Sequence, residues 1–146
     1  MAKGGIQMEK PTHLIEFETM LLGRHRHYDR SAHLLLRRLQ GAGPMSIGQL
    51  SDAFGLDAST LNRHTSALLR AGLVERIPDP EGGIARKFRL TPEGERSLEE
   101  ERERNVRGLE KVMADWPAAD LAAFAAYLRR FNTDIERLAG RPWPRS

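Results

Sequence analysis

Apolar positions along this chain recur in steps of three and four for most of its length and switch to alternation once, near the middle. Between Ser46 and Ile77 the pattern is most informative. Ile47, Leu50 and Phe54 fall at helical spacing, Ser46 with Gln49 three residues on is a capping-box pattern, and Gly55 stands where a helix must stop. Asp57 offers a cap for a second helix over Ala58 to Ala71, ended by Gly72. On that helix Leu61, Thr65, Leu68 and Leu69 share one side. Ser59, Arg63, Ser66 and Arg70 share the other, with Thr60 and Asn62 flanking. Gly72 to Ile77 then reads as a strand, Pro78 to Gly83 as a turn cluster, and Arg86 to Leu90 as the alternating partner strand of a hairpin. Thr91-Pro92-Glu93 starts the next helix, with threonine as cap and proline at the first helical position.

Helices are predicted on both sides of this block. Leu14, Phe17, Leu21, His25 and Tyr28 mark a first helix; Asp29 or Ser31 starts a second, with Leu35 and Leu39 inward and Gly41 and Gly43-Pro44 ending it. A long charged helix runs from Pro92 to about Asp115 and breaks at Trp116-Pro117, because a residue before proline avoids helical geometry. The last helix carries Leu121, Phe124, Leu128, Phe131, Ile135 and Leu138, a heptad seam over more than two heptads, and Gly140 closes it. Arg141-Pro142-Trp143-Pro144 reads as a tail. The seam either packs on the long helix of its own chain or meets a second copy. The expected fold class is mainly α with a small β-hairpin wing.

Helix-turn-helix, hairpin and helix in that order make a winged helix-turn-helix. Leu61 to Val74 (LNRHTSALLRAGLV), Asp79-Pro80-Glu81 and Leu90-Thr91-Pro92-Glu93-Gly94 carry a resemblance to the MarR family of transcriptional regulators, which extends from Thr12 to Leu138. MAKGGIQMEK reads as a flexible N-terminal tail over 1–10, and the resemblance implies a single unit over 11–146. Within that unit it implies a winged helix-turn-helix at about 31–91 and N- and C-terminal dimerisation helices at about 11–28 and 92–139. It also implies a homodimer acting as a repressor on a pseudo-palindromic operator, often released by a small molecule or an oxidant. Dimerisation then falls to Leu14, Phe17 and Leu21 together with the terminal seam. The wing departs from the family pattern, which places an acid and one or two arginines after Asp-Pro. Gly82, Gly83 and Ile84 stand there instead, and Arg86 and Lys87 are the nearest bases. Either Arg86 takes over the minor-groove contact or the wing touches only the DNA backbone.

Charge and composition narrow the chemistry. The 146 residues carry a net charge of +3 and no cysteine, which removes disulfides and thiol-based oxidant sensing. No apolar run approaches the roughly 18 residues of a membrane span, and MAKGGIQMEK lacks the apolar core of a signal peptide. No membrane partner is therefore expected, and a cytoplasmic location is. Arg24, Arg26, Arg30, Arg37 and Arg38 cluster around the single acid Asp29. The DNA-reading segment itself is only mildly basic, so counterion release supplies moderate affinity and specific contacts must supply more. Arg63 is the expected base reader with Ser59, Thr60 and Asn62 beside it. Ser46 and Arg70 are expected on phosphates, and Ser66, Arg86 and Lys87 complete the double-stranded DNA surface.

Other chemistries have less support. His25, Tyr28, His33 and Arg37 would suit a small aromatic or carboxylate ligand; the competing reading places them against phosphate or solvent. His25 and His27 are two apart and point different ways on a helix, so no metal site is expected. Ser59 and His64 are five apart on one helix and face apart. No phosphate loop or nucleophile elbow is present, so no enzyme and no cofactor are expected. The rival function is a winged helix that binds protein rather than DNA. The missing wing arginines favour it, and the polar, arginine-bearing helix face opposes it.

Overall fold

A computed structural model describes residues 10–25 and 30–145. The expected tail over 1–10 therefore lies almost wholly outside the described residues, as does Tyr28. Eight elements follow one another: α1 (Pro11–Arg24), α2 (Arg30–Ala42), α3 (Ile47–Phe54), α4 (Ala58–Arg70), β1 (Val74–Ile77), β2 (Lys87–Leu90), α5 (Pro92–Val112) and α6 (Ala118–Ala139). They fall into two units, one reaching to Arg30 and the other running from Ser31 onward.

In the first unit α1 starts at Pro11, a residue suited to the first helical turn, and buries none of its side chains. It ends at Arg24, and the expected end at residue 28 lies outside the described residues. Gly23 weakens the last turn, and the His25 amide closes it with a bond to the Leu22 carbonyl at 3.2 Å.

The second unit is built around one core. Leu35, Leu36 and Leu39 from α2 meet Leu50 from α3, Leu61 and Leu68 from α4, Val74 and Phe88 from the hairpin, Met45 from the α2–α3 connection, and Leu98 from α5. Leu50 and Leu61 are completely buried, which for an aliphatic side chain contributes about 1.5–3 kcal/mol each. Thr65 is buried with them and donates its hydroxyl to the Leu61 carbonyl at 2.8 Å, so its own polar group is paired.

The hairpin is antiparallel, with Val74 opposite Leu90 and Ile77 opposite Lys87. Met45 extends it by one bridge, exchanging both backbone bonds with Phe88 at 3.2 and 2.8 Å. β1 begins at Val74, later than the expected Gly72, because Gly72 is the left-handed residue (φ +74°) that closes α4 and turns the chain. α5 stops at Val112, before the expected Asp115. A bond from the Trp116 amide to the Met113 carbonyl at 3.1 Å carries the chain through a turn to Pro117.

Candidate nucleic-acid interface

Three local structures present the polar face of α4. Gly55, at φ +66°, reverses the chain after α3, as the glycine turn of the motif requires. Asp57 caps α4 by accepting the Thr60 amide at 2.8 Å. That backbone bond, with the hydroxyls of Thr60 and Ser59, holds the Asp57 carboxyl below its usual value. Leu61, Thr65 and Leu68 lock the inward face into the core. Arg63, Asn62 and Arg70 are left exposed, Ser66 half-buried. Among the described residues no carboxylate lies within ion-pair distance of Arg63 or Arg70.

Ser59 and Thr60 are less available than their sequence positions suggest. The Ser59 hydroxyl donates to Asp57 at 3.0 Å, and Thr60 is half-buried. Both serve the cap first.

The start of α3 carries a complete capping box. Ser46 Oγ accepts the Gln49 amide at 3.2 Å, and Gln49 Oε1 accepts the Ser46 amide at 2.9 Å. Since Ser46 Oγ only accepts in the box, its hydroxyl proton remains free to donate. A cleft of about 700 Å³ opens beside this helix end, lined by Ser46, Ile47, Gly48, Asn62, Arg76, Ala85, Arg86 and Phe88. It joins three expected DNA contacts, Ser46, Asn62 and Arg86, to one the sequence did not single out, Arg76. The Arg76 guanidinium lies over the Phe88 ring at 5.5 Å. Helix N-terminal amides with two arginines suit an anionic oxygen.

The wing has its own logic. Asp79 accepts the Glu81 amide at 2.9 Å and pairs with Lys87 at 3.4 Å, and its pKa is lowered, first by the Glu81 amide. Gly82 sits at φ +86°, and a side chain on Gly83 would run into the Asp79 carboxylate. The two glycines are therefore required by this tight turn. Lys87, expected on DNA, is instead turned in and neutralised by Asp79, with 12% of its side chain exposed. Arg86 is exposed, and Ile84 is fully exposed at the tip.

Two of the expected ligand residues, His33 and Arg37, are bonded to each other. His25 is exposed at the end of α1. His33 and Arg37, one turn apart on α2, form a chain with a residue not singled out from sequence, Glu101 of α5. His33 Nδ1 lies 2.6 Å from the Glu101 carboxylate, and Arg37 Nε donates to His33 Nε2 at 3.3 Å. With Nε2 accepting, the ring proton belongs on Nδ1, facing Glu101. Among the described residues no three metal-ligating side chains converge, and no helix is long and apolar enough to cross a membrane.

Most residues expected to form the dimer seam lie bare, and Leu121 is half-buried. α6 buries none of its residues, and Phe124, Leu128, Phe131, Ile135 and Leu138 are 40–80% exposed. Leu14 and Phe17 of α1 are more than half exposed, and Leu21 partly so.

Comparison with known proteins agrees with this architecture. The MarR family model matches residues 29–82. An uncharacterized HTH-type transcriptional regulator of Bacillus subtilis, YxaD, is 30% identical over 138 residues, covering 87% of this chain and 96% of the relative. A MarR family protein from Bacillus stearothermophilus superposes with a TM-score of 0.69 at 23% identity, covering 88% of this chain and 99% of that one. The PcaV transcriptional regulator from Streptomyces coelicolor, solved in complex with its natural ligand, gives a TM-score of 0.59 at 25% identity, with 87% and 97% covered. With a capped α4, a winged hairpin and flanking helices, the chain belongs to the MarR family of transcriptional regulators.

Proposed function

We propose that this regulator is a homodimer that binds a pseudo-palindromic operator in double-stranded DNA, acts as a repressor, and is released by a small molecule. The observation that carries the DNA reading is the continuity between the α4 face, where Arg63 and Arg70 have no carboxylate within ion-pair distance among the described residues, and the cleft that gathers Ser46, Asn62, Arg76 and Arg86. α4 enters the major groove. Arg63 reads a base edge, and the cleft holds a phosphate. The bare faces of α1 and α6 support a second copy, whose reading helix would then sit about one DNA turn, roughly 34 Å, away. The release step is supported by PcaV, a relative with a natural ligand. The His33–Arg37–Glu101 chain, which ties α2 to α5, is the site where a carboxylate-bearing aromatic would compete with Glu101 for His33 and with His33 for Arg37.

Genomic fragments retained by the purified protein, once sequenced, should share an inverted repeat with half-sites one turn apart. Binding to the repeat should exceed binding to random DNA of equal length. Absence of any salt-dependent DNA binding would instead support the protein-binding reading, which the fully exposed, uncharged Ile84 at the wing tip favours.

A further inference from the structure

The segment after α6, read from sequence as a tail, is packed onto the helix-turn-helix. Gly140, at φ +68°, ends α6 and turns the chain back, with the Arg141 amide bonded to the Glu136 carbonyl at 3.0 Å. One side chain then clamps the segment to the helix it has just left. Glu136 accepts the Trp143 amide at 2.8 Å and both terminal nitrogens of Arg145 at 2.7 and 2.5 Å. These bonds, Arg145 first, pull the Glu136 carboxyl from 4.5 down to about 2, so the clamp stays charged throughout the neutral range. Pro142 and Pro144 fix the backbone on either side of Trp143.

The other end is seated on the DNA-reading motif. The Trp143 ring meets Phe54 edge-on at 5.6 Å, and the Arg38 guanidinium covers it at 5.2 Å. Arg38 also donates to the Pro142 carbonyl at 3.4 Å. The Arg141 guanidinium lies against Gly55, so closely that any side chain there would collide with it. Phe54 and Gly55 are the last residue of α3 and the turn that aims α4. The apolar seam of α6 and the turn of the motif are thus joined by five residues held at both ends.

We infer that Arg141–Arg145 is a positioning strap that fixes the helix-turn-helix to α6, with Trp143 as its anchor and Glu136 as its clamp. In a dimer assembled through α6, the strap sets the spacing and tilt of the two reading helices. It rests on the DNA-binding reading above. A strap works in series: opening either end releases the motif, and opening the second end adds little. Independent packing contacts would instead add.

The test uses Trp143→Ala, Glu136→Gln, both together, and Trp143→Phe, which keeps an aromatic ring between Phe54 and Arg38. Operator affinity is measured for each. The native chain has no cysteine, so a single Ala67→Cys spin label on each exposed α4 reports the distance between the two reading helices. Each single loss variant should weaken operator binding about tenfold, the order of one lost aromatic or cation–π contact. Each should broaden the label-to-label distance, and the double variant should match the singles. Trp143→Phe should restore both readouts. A wild-type-like distance distribution in Trp143→Ala, or additive losses, would overturn the strap while leaving DNA binding in place. Failure of the wild-type protein to bind any operator, with the distance change still seen, would overturn the DNA reading and retain the strap as a joint of the fold.

Discussion

Single residues decide both reading and folding here, and the two kinds differ in how they can be seen. Arg63 projects from α4 with no acid paired to it among the described residues, opposite the buried Leu61 and Leu68. Arg63→Ala should weaken operator binding by about 1–3 kcal/mol and relax preference at one base position in each half-site, measured by binding to a panel of single-base operator variants. An equal loss on random DNA would reassign it to phosphate. Its exposed position was legible because helical periodicity alone places Arg63 outward. Gly94 is the opposite case. The sequence marks Thr91 and Pro92 as a helix start, and Thr91 does cap α5, accepting the Gly94 amide at 3.0 Å and donating to the Gly72 carbonyl at 2.6 Å. The reason for the glycine lies across the fold: a Cβ at Gly94 would overlap the Leu73 carbonyl oxygen and press on Leu90. Gly94→Ala should therefore cost about 1–3 kcal/mol in urea unfolding despite alanine's better helix propensity. A stabilised variant would show that the α5 start can shift freely.

Among the elements, α3, α4 and the hairpin were legible almost to the residue, since each carries its own punctuation: the Ser46–Gln49 box, Gly55, the Asp57 cap and Gly72. The wing tip was not. Its missing charges follow from turn geometry, in which Asp79 must collect the Glu81 amide and Lys87 while Gly83 makes room. Spacing along the sequence shows a Lys87 available for DNA, but the fold places it against Asp79. Arg86 is then the one exposed cation of the returning strand's start, and it faces the cleft at the α3 end rather than the tip. Arg86→Ala should lower affinity by a similar factor on all sequences and reduce the salt slope of binding by about one, as loss of a phosphate contact does. A loss confined to operators with A·T-rich flanks would place Arg86 in the minor groove instead.

At the scale of the molecule, the distribution of apolar surface is the strongest argument for a second copy. The heptad seam of α6 was visible in sequence, but periodicity left open whether α5 of the same chain covers it. In the structure α6 buries nothing. Trp116 touches Phe124 at a ring separation of 5.4 Å, yet Phe124, Leu128, Phe131, Ile135 and Leu138 all remain at least 40% exposed. α1, in its own unit, is equally bare at Leu14, Ile15, Phe17 and Met20. Apolar faces of this extent are not stable against water, and a chain whose helices carry them gains much of its stability by association. Two measurements follow. The wild-type protein should sediment as a dimer, and its unfolding temperature should rise with protein concentration, because association stabilises by mass action. Leu128→Asp combined with Phe131→Asp should abolish the dimer, since two carboxylates per chain would otherwise be buried without partners. The winged domain has its own core from Leu35 to Leu98, so the variant need not lose all structure. It should retain helical signal and bind only single half-sites, with affinity reduced by the loss of simultaneous engagement. A wild-type protein that sediments as a monomer and unfolds at one temperature across a wide concentration range would overturn the homodimer, whatever the variant does.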